Sequence, residues 1–137
     1  MRDFLALLLI LTSFQVRAHS PLGEKLKSSN AVMQNKGFYS VRTSFAYGRE
    51  MHEYFNQDKI VFAISWVGRT HPDLNQILGP NYSDDLAAIQ NRAQGRQPFL
   101  LKLPQTSLHM SGHMGRVHAY VYANQLLPAG FDLEILK

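Results

Sequence analysis

The chain contains no cysteine. This excludes disulfides, thiolate metal ligands, cysteine nucleophiles and lipid attachment through sulfur. It carries no G-x-G-x-x-G, no P-loop and no G-x-S-x-G elbow, so three common signatures of nucleotide binding and serine catalysis are missing. No two basic residues are adjacent, and the formal charge is only +4. A nucleic-acid footprint would need a basic run or stripe. Only one long apolar run occurs, at the N-terminus. What is present is ordinary for a folded domain: 137 residues, 45% hydrophobic, 18% charged and 11% aromatic. That composition argues for one globular domain and against disorder, collagen and coiled coil.

Residues 1–18 read as a secretory signal. Arg2 supplies a small positive start, Phe4 to Leu11 is unbroken apolar chain, and Val16-Arg17-Ala18 offers a signal-peptidase site. The run is shorter than the roughly 20 residues a membrane span needs. Cleavage after Ala18 would remove Arg2, Arg17 and Asp3, lowering the net charge by one. The expected product is soluble, and periplasmic or secreted.

Residues 19–36 read as an N-terminal arm with little regular structure and a short edge strand near Ala31-Val32-Met33. Residues 37–137 read as a single domain. Tyr39 to Phe45 alternates with period two, with Ser40, Arg42 and Ser44 on the expected wet face. Tyr47-Gly48 predicts a turn. Met51, Glu53 and Phe55 alternate with His52 and Tyr54 in a second strand. Asn56-Gln57-Asp58 predicts another turn. Ile60 to Val67 is apolar on both faces, with Ile60, Phe62, Ile64 and Trp66 on one and Val61, Ala63 and Val67 on the other. Such a strand belongs in the middle of a sheet.

Thr70 and Asp73 frame a capping box for a short helix through Leu74, Ile77 and Leu78, ended by Gly79-Pro80. Ser83 with Asp84-Asp85 opens a second helix, whose stripe is Tyr82, Leu86, Ile89 and Ala93. Gly95 closes it. Strands are then expected at Pro98–Leu103 and Ser107–Met110, with a turn at Ser111-Gly112. A strong strand follows over Val117–Asn124, and a short one over Phe131–Leu136. The expected fold class is α+β: an antiparallel β-meander sheet with one or two short helices packed on one face.

Three blocks are similar to a known family. Val61-Phe62-Ala63-Ile64-Ser65-Trp66-Val67-Gly68, with Pro72-Asp73-Leu74 and Leu78-Gly79, resembles one motif core. Ser111-Gly112-His113-Met114 resembles a second, and Leu126-Leu127-Pro128-Ala129-Gly130 a third. In combination they resemble DUF2844, a family of exported bacterial proteins of unknown function. The resemblance implies an exported protein of the bacterial envelope and implies no activity.

Among chemistry-bearing clusters, His109, His113 and Met114 are candidate metal ligands. In an exported protein, imidazole with thioether suits copper. The plainer reading is a turn in which His113 donates a hydrogen bond and the methionines pack. Tyr120 and Tyr122, with His113, are candidate partner contacts, since aromatics dominate contact energies. Glu50 and Glu53 fall on opposite strand faces, which argues against a catalytic carboxylate pair. Asp84 and Asp85 are explained by the helix start. No catalytic residue and no cofactor is expected. The expected function is a non-enzymatic protein-interaction or assembly module that binds another exported or envelope protein. The alternative is a periplasmic copper- or metal-binding module using the His/Met cluster. No nucleic-acid partner and no transmembrane span in the mature form are expected.

Overall fold

A computed structural model describes residues 20–27, 31–92, 99–113 and 115–137. The expected signal, Ala93, Gly95 and Met114 lie outside these. Seven strands are described: β1 (Val32–Asn35), β2 (Tyr39–Ala46), β3 (Arg49–Asn56), β4 (Val61–Gly68), β5 (Phe99–Lys102), β6 (Thr106–His113) and β7 (Arg116–Ala123). Helices α1 (Leu74–Leu78) and α2 (Ser83–Arg92) follow β4. The strands form one sheet in the order β1-β2-β3-β4-β7-β6-β5, with every neighbouring pair antiparallel. The chain therefore meanders to the centre and passes through both helices to the far edge. It then meanders back until β7 pairs with β4. The strand read as central, β4, is the middle one of the seven, and an antiparallel sheet with helices is consistent with the expected α+β class.

Several local expectations are corrected. Phe62 has no cross-strand partner, because Tyr54 pairs with Ala63 while Phe55 pairs with Val61. This bulge shifts the alternation by one residue. Val61 therefore joins Ile64 and Trp66 in one apolar cluster, and Phe62 joins Ala63 in another. Ser111-Gly112 is not a turn, because β6 runs on to His113, which pairs with Arg116. Phe131–Leu136 is not a strand. Leu133–Leu136 is a 3₁₀ helix capped by the Asp132 carboxylate, which accepts the Glu134 N–H at 3.0 Å. The cap of α1 is Asp73 rather than Thr70, its carboxylate accepting the Asn75 N–H at 2.9 Å.

The first cluster gathers Ile77, Leu78, Leu86 and Ile89 from the helices with Met51, Phe55, Ile64, Trp66, Leu108, Ala119 and Val121 from the sheet. The second gathers Tyr39, Val41, Tyr54, Phe62 and Tyr120 with Leu136, and Leu126, Leu127, Phe131 and Leu133 pack against it. The strand positions in the two sets have opposite parity, so apolar packing lies on both sheet faces. Phe131 is an aromatic hub, with ring centroids 5.1 Å from Tyr39, 6.0 Å from Tyr54 and 5.0 Å from Phe62, each near edge-to-face.

In the expected arm Val32–Asn35 forms the edge strand β1, and residues 20–27 are tied down. The Leu22 N–H donates to Ile77 O, the Gly23 N–H to Val61 O and the Leu26 N–H to Lys59 O, each at 2.7 Å. Leu22 is fully buried. The expected wet face of β2 fails at Arg42, which is 2% exposed beside a fully buried Glu53. Arg42 forks onto that carboxylate through Nε at 2.5 Å and an Nη at 2.7 Å. The Ser20 N–H donates to the same carboxylate at 2.8 Å, and Arg42 also donates to Ser20 Oγ at 3.0 Å and to the Lys27 carbonyl. A buried ion pair persists only when its remaining polar atoms are also bonded, and the docked arm supplies that here.

Asp85 has a role beyond its helix start. Its buried carboxylate accepts the Thr106 N–H and Oγ1–H, both at 2.8 Å, and the Gln105 N–H at 3.2 Å. It ties α2 to the turn between β5 and β6.

Candidate binding site

β6 carries both His109 and His113 on one strand, four positions apart. At the usual strand rise their backbones are about 13 Å apart, too far to share one ion. They do not face each other across a hairpin turn, because the cross-strand partner of His109 is Tyr120 and that of His113 is Arg116. The His109 ring stacks on Tyr120 at 5.1 Å, and its Nδ1 is shielded and unpaired. No group of three or more His, Cys, Asp or Glu able to hold a metal occurs among the described residues. Of the candidate partner contacts, Tyr120 is buried and Tyr122 half-buried in the second cluster. The chain's own C-terminal segment occupies that face. His113 is exposed at the other end of β6. Glu50 and Glu53 do lie on opposite faces. Glu50 pairs with His52 Nε2 at 2.9 Å, and Glu53 is committed to Arg42.

A different set of residues converges at the hairpin end of the sheet. Arg49 pairs with Gly68, Gly68 with Val117, and Val117 with Gly112. This is one row across four strands. Arg69 follows Gly68 and Arg116 precedes Val117, so antiparallel register brings three arginines from distant parts of the chain to one end of the sheet, with Arg49 on the face of Val117 and Arg116 on the opposite one. The two glycines let the strands close up there. A Cβ on Gly68 would lie 2.4 Å from Gly48 O, and one on Gly112 would lie 2.4 Å from Arg116 O. Both are far inside contact distance, so no other residue fits without backbone movement.

The β2–β3 turn has positive φ at both central residues, 52° at Tyr47 and 74° at Gly48. That is the twist a two-residue hairpin favours. Tyrosine is a poor residue for left-handed backbone, yet it stands at the tip with 79% exposure. The Arg49 guanidinium lies 5.7 Å from its ring centroid, within cation–π range. Arg49 also donates to Thr70 Oγ1 at 3.1 Å and to the His71 carbonyl at 3.3 Å, while its Nε is unpaired. Tyr47, Gly48, Arg49 and Gly68 line an open groove of about 620 Å³ with Phe45, Glu50, Val67, Arg69 and Arg116. Arg69 and Arg116 are exposed and make no ion pair among the described residues. Aromatic, apolar and charged residues of both signs line the groove, and no nucleophile–base pair lies among them. Sequence reading missed it because each arginine is isolated along the chain.

Beside Arg49 the Trp66 indole N–H donates to His71 Nδ1 at 3.3 Å. Desolvation, then the charge of Arg49, hold the His71 pKa below 6.5. His118 is also held below 6.5, by desolvation first and then by His109 and Arg116. A base with a lowered pKa binds protons more readily when unfolded. Its stabilising contribution is therefore full above pH 6.5 and is lost as pH falls toward the folded-state value. Thermal melts are expected to shift downward as the pH is lowered from 7.5 to 5. The slope should flatten in a His71→Gln/His118→Gln variant, and an equal slope in both proteins would exclude these groups as its source.

Fold and site together describe a small antiparallel-sheet protein with an open groove at one end. The family model described as protein of unknown function (DUF2844) matches residues 16–136, nearly the whole chain, and the protein belongs to that family. No curated protein and no solved structure matches it.

Proposed function

We propose that the protein is exported and works in the periplasm or outside the cell as a non-enzymatic module that binds another exported or envelope protein. The leader pattern of residues 1–18 supports export. Among the described residues no helix is long and apolar enough to cross a membrane. Both helices are taken to sit on one sheet face, because their apolar residues gather with strand positions of one parity. The opposite face is then left to the C-terminal segment and, beyond it, to a partner.

The observation that carries the reading is the distribution of exposed apolar side chains. Six of the seven large exposed hydrophobics among the described residues lie on or beside β1 and β2: Val32, Met33, Phe38, Phe45, Tyr47 and Ile135. Val32, Phe45 and Ile135 line one trough of about 420 Å³. Scattered apolar residues need no explanation, but a concentration on one flank marks a contact surface. β1 is also an edge strand, and edges pair readily with other chains.

A photo-cross-linking residue placed at Val32 or Phe45 in cells is expected to give a discrete adduct. The same residue at Leu100, exposed on the far edge strand, should give none. Adducts of equal yield from all three positions, or from none, would overturn the reading. Cell fractionation with and without residues 1–18 tests export separately.

A further inference from the structure

We infer that the partner binds by adding an extended strand to the open edge of β1, where the backbone of Met33 and Asn35 receives it and Val32 and Phe45 take up its alternate side chains. This deepens the protein-partner reading and rests on it.

The hydrogen-bond ladder of β1 sets the geometry. The Lys36 N–H donates to Tyr39 O at 2.9 Å, which closes the hairpin between β1 and β2. Antiparallel pairs alternate between bonded and non-bonded. Gln34–Val41 and Val32–Thr43 are therefore the next bonded pairs, while Asn35–Ser40 and Met33–Arg42 are not. Met33 and Asn35 turn their N–H and C=O groups away from β2. β1 ends the sheet, all four of its residues are exposed, and neither of these two backbones is bonded among the described residues. Two donor–acceptor sets about 7 Å apart along an edge are a template for one more strand.

The opposite edge is guarded. The Leu103 N–H donates to Thr106 O at 2.8 Å, so by the same alternation the backbones of Leu100 and Lys102 point outward from β5. Lys102 places a charge there, and Pro98 and Pro104 flank the strand in sequence. Lysine and proline at an edge oppose further pairing. From Ala31 to Asn35 there is no charged residue and no proline.

Side chains decide which strand is taken. Directly opposed residues share a sheet face. Those opposite Val32 and Gln34 fall on the face where these two line the trough of about 420 Å³ with Thr43, Phe45 and Ile135. Val32 and Phe45 are 66% and 65% exposed, and an apolar side chain at every second position of the incoming strand would cover them. A second copy offering its own β1 is too small an occupant. Its four residues span about 13 Å, and one such pairing falls well short of the roughly 1,200 Å² that a stable interface buries. A longer extended segment of a different exported protein reaches both the edge and the trough. Backbone bonds supply affinity in that mode, and the side-chain pockets supply selectivity.

Amide exchange of residues 19–137 tests the edge. The Met33 and Asn35 amides should exchange at least fivefold faster than those of Val32 and Gln34. A synthetic peptide of alternating valine and threonine, with lysine at both ends, should slow the first two and leave Leu100 and Lys102 unchanged. The reverse order of rates in the free protein, peptide binding without protection of Met33 and Asn35, or no binding overturns the inference. In cells, the full chain with a photo-cross-linking residue at Phe45 reads the partner itself. Met33→Pro removes an outward N–H and no bond of this fold, so it should melt close to the parent while the adduct falls at least tenfold. Met33→Ala keeps the N–H and should keep the adduct. The exchange measurement stands whether or not the proline variant folds. An equal adduct in Met33→Pro overturns strand addition and leaves the partner reading in place. No adduct from any position overturns that reading, and the peptide then decides the edge by itself.

Discussion

Arg42→Met is expected to destabilise the protein by about 3–5 kcal/mol, the usual consequence of removing one partner from a buried ion pair. Glu53 would then be a fully buried carboxylate whose charge is met only by the Ser20 N–H at 2.8 Å. Neutral hydrogen bonding offsets only part of the desolvation of a charge. Domains of this size hold roughly 5–15 kcal/mol in total, so the variant would approach the unfolding threshold. Chemical denaturation of residues 19–137 measures this directly. A double variant, Arg42→Met/Glu53→Leu, should recover much of the loss, because no unpaired charge remains. A single-variant loss below about 1 kcal/mol would show instead that water reaches the pair, as at surface salt bridges. The same experiment probes the arm. Ser20 and the Lys27 carbonyl complete the network, so loss of the pair should also expose residues 20–27 to proteolysis.

Ending the chain at Gln125 is the second large effect. It strips Leu126, Leu127, Phe131, Leu133 and Leu136 from the second cluster. A fully buried leucine or phenylalanine contributes about 1.5–3 kcal/mol. Only Leu136, at 1% exposure, reaches that limit, and the other four are partly buried. A combined loss of about 5 kcal/mol or more follows. Tyr39, Tyr54, Phe62 and Tyr120 would become a solvent-facing aromatic surface. The truncated chain should therefore melt at much lower temperature, bind a hydrophobic dye and self-associate. A cooperative melt close to that of the intact chain would mean that the C-terminal segment covers the sheet without stabilising it.

Most element identities were legible from local pattern. Alternation in Tyr39–Phe45, the double-sided apolar run of Val61–Val67 and the Gly79-Pro80 break each have a short-range physical cause, and the strands and helices appear where those causes act. The misreadings share a different origin. Gly112 read as a turn because glycine usually marks one, but here it admits a close backbone approach inside a strand pair. Phe131–Leu136 read as a strand from its apolar content, but both sheet edges lie elsewhere and Asp132 caps a 3₁₀ turn. Nothing in β7 itself reveals that Leu126, Leu127, Phe131 and Leu133 pack against the cluster that holds Tyr120 and Tyr122.

Chain order and side-chain periodicity thus settled most of the segments that become strands or helices and the central place of β4, and three motif blocks settled the family. Those properties depend on neighbours a few residues away. Tertiary structure decided the phase flip at Phe62, the burial of Arg42 against Glu53, the packing around Tyr120 and the presence of Arg49, Arg69 and Arg116 at one end of the sheet. Each of these depends on the register between segments remote in sequence, and register is set by how the whole sheet packs its two apolar faces.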